Sequence, residues 1–178
     1  MSQRELRRFG LLALALLAAC APSPRQGAYR AQGTPMYSNA VLQTERLAGR
    51  WQQVADFAPQ GSGCSAPGLV VGPPAGSDMS VQADLCLGGQ KRSFDGDARV
   101  SGPGRITLTG ADPGGIGAEW WILWVDDGYR TMVVGTPSGS FGMILDRQGQ
   151  VPPDRMQAAR EILEWNGYDL SQLRAVRP

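Results

Sequence analysis

The 178-residue chain predicts an all-β fold with one C-terminal helix, and three observations carry that prediction. The stretch Glu119 to Arg147 holds three short apolar runs, 119–126, 130–136 and 141–146. They are divided by Asp127–Gly128–Tyr129 and Pro137–Ser138–Gly139–Ser140. Apolar runs of this length between turn residues read as strands of an antiparallel meander, and Gly135, Pro137, Gly139 and Gly142 would break a helix. The 24 glycines and 13 prolines cut the rest of the chain into similarly short pieces, which favours strands over long helices. Only after Val151 does the spacing change, with Met156, Ala159, Ile162 and Leu163 forming a helical stripe.

Taken in order, the first strand is Leu47 to Phe57. Alternation from Trp51 places Gln53, Ala55 and Phe57 on one face and Gln52, Val54 and Asp56 on the other. Further strands are predicted at about 68–72, 79–87, 91–101 and 104–110, separated by glycine-containing turns at 88–89 and 102–104. Asp95–Gly96–Asp97 reads as a bulge or a turn, and 111–117 as a glycine-rich surface loop. Alternation then puts Trp120, Ile122 and Trp124 on one face of the next strand, with Trp121, Leu123 and Val125 opposite. The same rule groups Phe141, Met143 and Leu145. Pro153 suits a helix's first turn, Asn166–Gly167 ends the helix, and 170–176 supplies a last strand.

Composition excludes several classes of function. A net charge of +1, with no basic block beyond the extreme N-terminus, leaves no electrostatic footprint for nucleic acid. The chain has no histidine, which removes the commonest general base and metal ligand and any Ser–His or Cys–His pair. Glu119, Asp126 and Asp127 are acid-pair candidates by residue type alone. Residues 95–97 offer too few oxygens for a calcium loop. No enzyme activity, metal or cofactor is expected.

Residues 1–19 read as an export signal: Arg4, Arg7 and Arg8 precede an apolar run, Phe9 to Ala19, too short to span a bilayer. Leu17–Ala18–Ala19–Cys20 resembles the bacterial lipobox, which implies cleavage before Cys20 and its lipidation. Ala21 in place of Asp then implies transport to the outer membrane, with the domain facing the periplasm. Residues 20–42 read as a flexible tether and 43–178 as the folded domain. In an exported protein the remaining pair, Cys64 and Cys86, implies a disulfide. A hairpin register pairing Val71 with Met79 would also bring Cys64 opposite Cys86.

Three blocks resemble the lipocalin family, and more closely its bacterial outer-membrane lipoproteins. They are Gly49-x-Trp51; the turn Asp126–Asp127–Gly128–Tyr129; and Arg147 closing Ile144–Leu145–Asp146. The ending Gly167–Tyr168–Asp169–Leu170–Ser171 agrees, whereas Gln52 stands where the family usually has Tyr. The resemblance is good over 118–178, fair over 45–57 and poor over 58–117. It implies an eight-stranded antiparallel up-and-down β-barrel over about 48–147, with a helix at about 153–166. Trp51 would plug the closed end under the Arg147 guanidinium, so that Gly49, Trp51, Asp126, Tyr129 and Arg147 are structural. Phe57, Trp120, Ile122, Trp124, Phe141, Met143 and Leu145 would line a cup for a fatty acid or lysophospholipid. Arg99 and Arg130 are candidates to meet its polar head. Two alternatives stay open: a filled barrel with a structural or interaction role, and a homodimer.

Overall fold

The structure is a computed structural model that describes residues 28–110 and 115–177. The predicted export signal, Cys20 and residues 21–27 of the predicted tether lie outside the described residues. Nine strands form one sheet: β1 Gly49–Phe57, β2 Gly68–Val71, β3 Asp78–Leu87, β4 Gln90–Gly102, β5 Arg105–Thr109, β6 Trp120–Val125, β7 Thr131–Gly135, β8 Gly142–Asp146 and β9 Leu173–Ala175. From β2 to β8 each strand pairs antiparallel with the next. β8 then pairs with β1, and β1 with β2. The predicted up-and-down barrel is therefore closed with eight strands, and β9 extends it along β1. Helix α1, Pro153–Trp165, packs outside against β6 and β7.

Two apolar clusters follow from this arrangement. One fills the barrel and includes Trp51, Leu85, Trp120, Ile122, Phe141, Met143 and Leu145. The other lies outside, where Ala159 and Leu163 of α1 meet Leu123, Val133, Ile144 and Phe57. Pro153 opens α1 and needs no donor there. Gly167, with φ of 84°, ends it, and a Cβ at that position would lie 2.9 Å from the Thr34 Cβ.

Two bulges overturn part of the predicted alternation. β1 shifts register between Gln53 and Ala55, and β6 between Ile122 and Trp124. One extra residue sends every later side chain to the opposite face. Phe57 therefore leaves the interior and packs outside, its ring 5.9 Å from Tyr29 and 4.9 Å from Tyr168. Trp124 likewise joins the exterior cluster, and Val125 takes its place inside. Trp120, Ile122, Phe141, Met143 and Leu145 face inward as alternation requires.

Three further expectations are corrected. The β2–β3 register is Val71 to Val81, two residues from the predicted pairing; the Cys64–Cys86 disulfide nevertheless forms, from a Cys64 outside the strand, with Cα atoms 5.9 Å apart. Asp95–Gly96–Asp97 is neither bulge nor turn but straight ladder within the thirteen-residue β4. Residues 28–42 are not free tether. Tyr29 N–H donates to Gly139 O, Ala31 N–H to Gly167 O and Asn39 N–H to Ile122 O. The buried Arg30 guanidinium donates to the carbonyls of Asn166, Pro137 and Thr34. The segment's proline- and glycine-rich composition conceals these long-range partners.

Replacing Cys64 and Cys86 together by serine is expected to lower unfolding free energy by about 3 kcal/mol, the chain-entropy value for such a loop. Urea unfolding with and without reductant measures this: wild type should lose stability on reduction, and the variant should not respond.

Candidate functional site

The barrel has a sealed end and a mouth, and different residues build each. At the sealed end, Trp51 is fully buried and its indole N–H donates to Leu47 O at 2.8 Å. The Arg147 guanidinium lies 3.8 Å from the Trp51 ring centroid, a cation–π contact. Its nitrogens donate to the carbonyls of Tyr129, Arg50 and Arg46. Asp126 builds the neighbouring turn. One carboxylate oxygen accepts from the backbone of Arg130 and Thr131, the other from Gly128 N–H and the Arg130 side chain. These hydrogen bonds hold its carboxyl below the ordinary range, although burial pushes the other way as the largest single influence. Tyr129 adopts φ of 54° there, and its hydroxyl accepts from Gln43 N–H at 2.7 Å.

Toward the mouth, Trp120 meets Phe141 edge-on with ring centroids 6.3 Å apart. The Trp120 indole donates to Ile116 O at 2.8 Å, and the Ile116 side chain is fully buried against the interior cluster. Of the predicted surface loop, the described residues 115–117 thus fold back over the cup, with Ile116 buried among flanking glycines that concealed it.

The β4 wall is the less covered part of the interior. Phe94, Ala98 and Val100 face inward with alternating parity, and Arg92 shares their face opposite Leu85, close to the β3–β4 turn. Arg92 Nη2 donates to Gln90 Oε1 at 2.6 Å, while its buried Nε meets no acceptor among the described residues. Neither proposed head-group arginine lies here. Arg99 points outward to Asp78 at 2.7 Å, and Arg130 is held by Asp126 at the sealed end. The parity Arg92-x-Phe94-x-Gly96-x-Ala98-x-Val100 is the sequence signal that would have found Arg92.

A polar seam runs between β1 and β3, where the four-residue β2 has ended. The Gln53 amide exchanges two hydrogen bonds with the Cys86 backbone, 2.8 Å to O and 2.7 Å from N. Asp56 is 1% exposed; its Oδ2 accepts from Gly89 N–H at 2.9 Å, and its Oδ1 meets no donor among the described residues. Burial pushes the Asp56 carboxyl up to about 7, against the opposing pull of the Gly89, Gly88 and Phe57 backbone amides.

A closed barrel of eight strands, plugged at one end and apolar within, is the architecture of cups that hold one small ligand. The chain belongs to the lipocalin family: the family model described as a lipocalin-like domain matches residues 42–178, and the family typically binds small hydrophobic ligands. Temperature-induced lipocalin-1 of Arabidopsis thaliana is 24% identical over 152 residues, which are 74% of this chain and 77% of that protein. Among solved structures, insecticyanin from the tobacco hornworm Manduca sexta superposes with a TM-score of 0.61 at 14% identity, covering 85% of this chain and 87% of its own. The siderocalin Ex-FABP, described as acting through dual ligand specificities, gives 0.55 at 14% identity, over 75% and 95%. At these identities the two structures speak for the fold.

Asp56 gives a pH test. Its folded pKa, about 7, lies above the ordinary 3.8, so folding favours the protonated form. The stability it contributes is complete below 3.8 and is lost as pH rises through 7. With no histidine to titrate in the same range, unfolding free energy should fall between pH 5 and about 7, and Asp56→Asn should flatten that fall. Denaturant melts at stepped pH measure both.

Proposed function

We propose that the chain is a lipid-anchored lipocalin of the bacterial cell envelope that binds a small anionic amphiphile, a fatty acid or lysophospholipid, in its barrel. The lipobox-like Leu17–Cys20 stretch supports an outer-membrane anchor through Cys20 and a periplasm-facing domain. The observation that carries ligand class is Arg92: a guanidinium on the interior face of the mouth, half-buried beside Phe94, with a buried Nε that meets no acceptor among the described residues. A carboxylate or phosphate head would satisfy it by a charge-assisted hydrogen bond. The tail would lie along Trp120, Phe141 and Met143, at about 25 cal/mol per Å² buried.

Binding rather than catalysis also accords with the carboxylates. Glu119 accepts from Ser101 and the Trp121 indole, and both Asp126 oxygens are engaged by its turn. The second reading, a sealed barrel with a structural or interaction role, is favoured by one observation: Ile116 closes the mouth with its side chain fully buried. Under the binding reading, the 115–119 segment must swing aside to admit a ligand.

The two readings separate in a titration of delipidated, refolded protein with palmitate and hexadecanol, followed by tryptophan fluorescence. Binding predicts a change at low micromolar palmitate. Arg92→Gln should weaken palmitate by about tenfold, equivalent to ~1.4 kcal/mol, and leave hexadecanol unchanged. Silence across fatty acids, lysophospholipids and alcohols overturns the binding reading in favour of the sealed barrel.

A further inference from the structure

The exterior carries an aromatic pair that the barrel does not use. Tyr37 is 59% exposed and Trp165 69%, although large aromatic side chains are usually well buried. Their rings stack with centroids 5.9 Å apart and planes 26° from parallel. With Thr34 and Pro35 they line an open cleft of about 410 Å³. The mount beneath them is rigid. Buried Asn166 accepts from Tyr37 N–H at 2.9 Å and donates to Ile162 O at 2.8 Å. Its carbonyl takes the Arg30 Nε at 3.0 Å. A preorganised pair of this kind costs little ordering entropy when it docks.

Its position identifies the partner. Ala31 N–H donates to Gly167 O, two residues beyond Trp165, so the described chain passes near the pair on its way to its first residue, Ala28. Seven residues lie between Cys20 and Ala28, and the eight Cα-to-Cα steps span at most about 29 Å. A lipid on Cys20 would therefore hold this pole of the domain close to the bilayer. Tyr and Trp are the side chains that settle at a membrane interface, with an apolar ring body and a polar edge. Glu161, one helical turn from Trp165, and its neighbour Glu164 make an anionic surface unfavourable.

We propose that the Tyr37–Trp165 stack is a second membrane contact, which seats the anchored domain on a zwitterionic lipid interface and fixes its orientation there. The inference rests on the anchoring part of the proposed function and is independent of what the barrel holds. Tyr29, near the start of the described chain, bonds Gly139 in the β7–β8 connection at the mouth end. The docked domain would thus keep its mouth end near the lipid from which an amphiphile comes.

The test uses the full chain, processed in bacterial cells and reconstituted into phosphatidylcholine vesicles with and without brominated acyl chains. Trp165 is the one tryptophan of the five that stands exposed; Trp51 and Trp120 are buried, and Trp121 and Trp124 are partly covered. Flotation with vesicles, abolished by Cys20→Ser, reports the anchor. Bromolipid should then quench a component of wild-type emission that is missing in Trp165→Phe, and Trp165→Phe should still float. Flotation without that Trp165-dependent quenching overturns the membrane contact and leaves the anchor standing. If Trp165 is instead shielded from acrylamide in vesicles but not reached by bromolipid, a protein surface covers it, a second copy included, and the contact is overturned. Failure of wild type to float overturns the anchor and the contact together.

Discussion

The contact between Arg147 and Trp51 is the constraint on which the barrel depends. A barrel closes only if its first and last strands meet, and here the meeting is divided. β1 gives Gly49–Trp51 to β2 and hands over to β8 from Gln52 onward. Arg147 sits at that handover. Its guanidinium covers the Trp51 ring and gathers three carbonyls from the segment before β1, from β1 itself and from the β6–β7 turn. Burial lowers its pKa, yet a guanidinium stays charged throughout, so the tie is permanent. Gly49 is required by the same contact: its φ is 109°, and a Cβ there would stand 2.9 Å from Arg147 Nη1. Asp126 completes the arrangement by fixing the turn that presents the Tyr129 carbonyl.

Where β2 is too short, the β1 backbone pairs with β9 and side chains bridge β1 to β3. Gln53 carries a primary amide, which offers both a donor and an acceptor as a peptide group does, and it pairs with both backbone groups of Cys86. The disulfide holds Cys86 from its other side. Asp56 extends the seam to Gly89 at the cost of burying a carboxyl whose Oδ1 meets no donor among the described residues. The barrel is thus sealed by hydrogen-bonded ladder around most of its girth and by two polar side chains and a disulfide along one short stretch. That stretch is the part of the wall sensitive to pH and to reductant.

The strands and the helix were legible because each has a local signal, turn glycines or period, whereas the closed strand order and the sealed-end roles of Gly49, Trp51 and Arg147 came only through the resemblance to the lipocalin family. The bulges were not legible. β6 is apolar on both faces, so its composition cannot say where alternation slips; only the ladder to β7 decides that Trp124 turns outward. In β1 alternation held for Gln53, which shares the inward Trp51 face, and failed past the bulge, where Asp56 turns inward. Asp56 and Gln53 face the interior because their partners are backbone groups thirty-three residues away. The packing of residues 28–42 was hidden for a related reason: Arg30 finds only carbonyls, and sequence carries no mark of a carbonyl's position.

β6 shows how these parts constrain one another. Trp120 faces in and is tied to Ile116, the residue that closes the mouth. Trp121 faces out, with the Arg105 guanidinium 4.0 Å from its ring centroid and Glu119 accepting its indole N–H. Trp124, past the bulge, packs with the exterior cluster under α1. The outward tryptophans therefore do not need a partner protein to cover them; α1 and the N-terminal segment serve, with Met36 and Met156 in the same cluster. That leaves Tyr37 and Trp165, stacked on each other, as the exposed aromatic side chains among the described residues. Because Trp120 and Trp121 are adjacent, the Glu119–Trp121 contact on the outer face also fixes where the 115–119 segment rejoins the wall. An opening of the mouth would pivot at Gly117 and Ala118, the two residues between the buried Ile116 and Glu119, which the Trp121 indole holds.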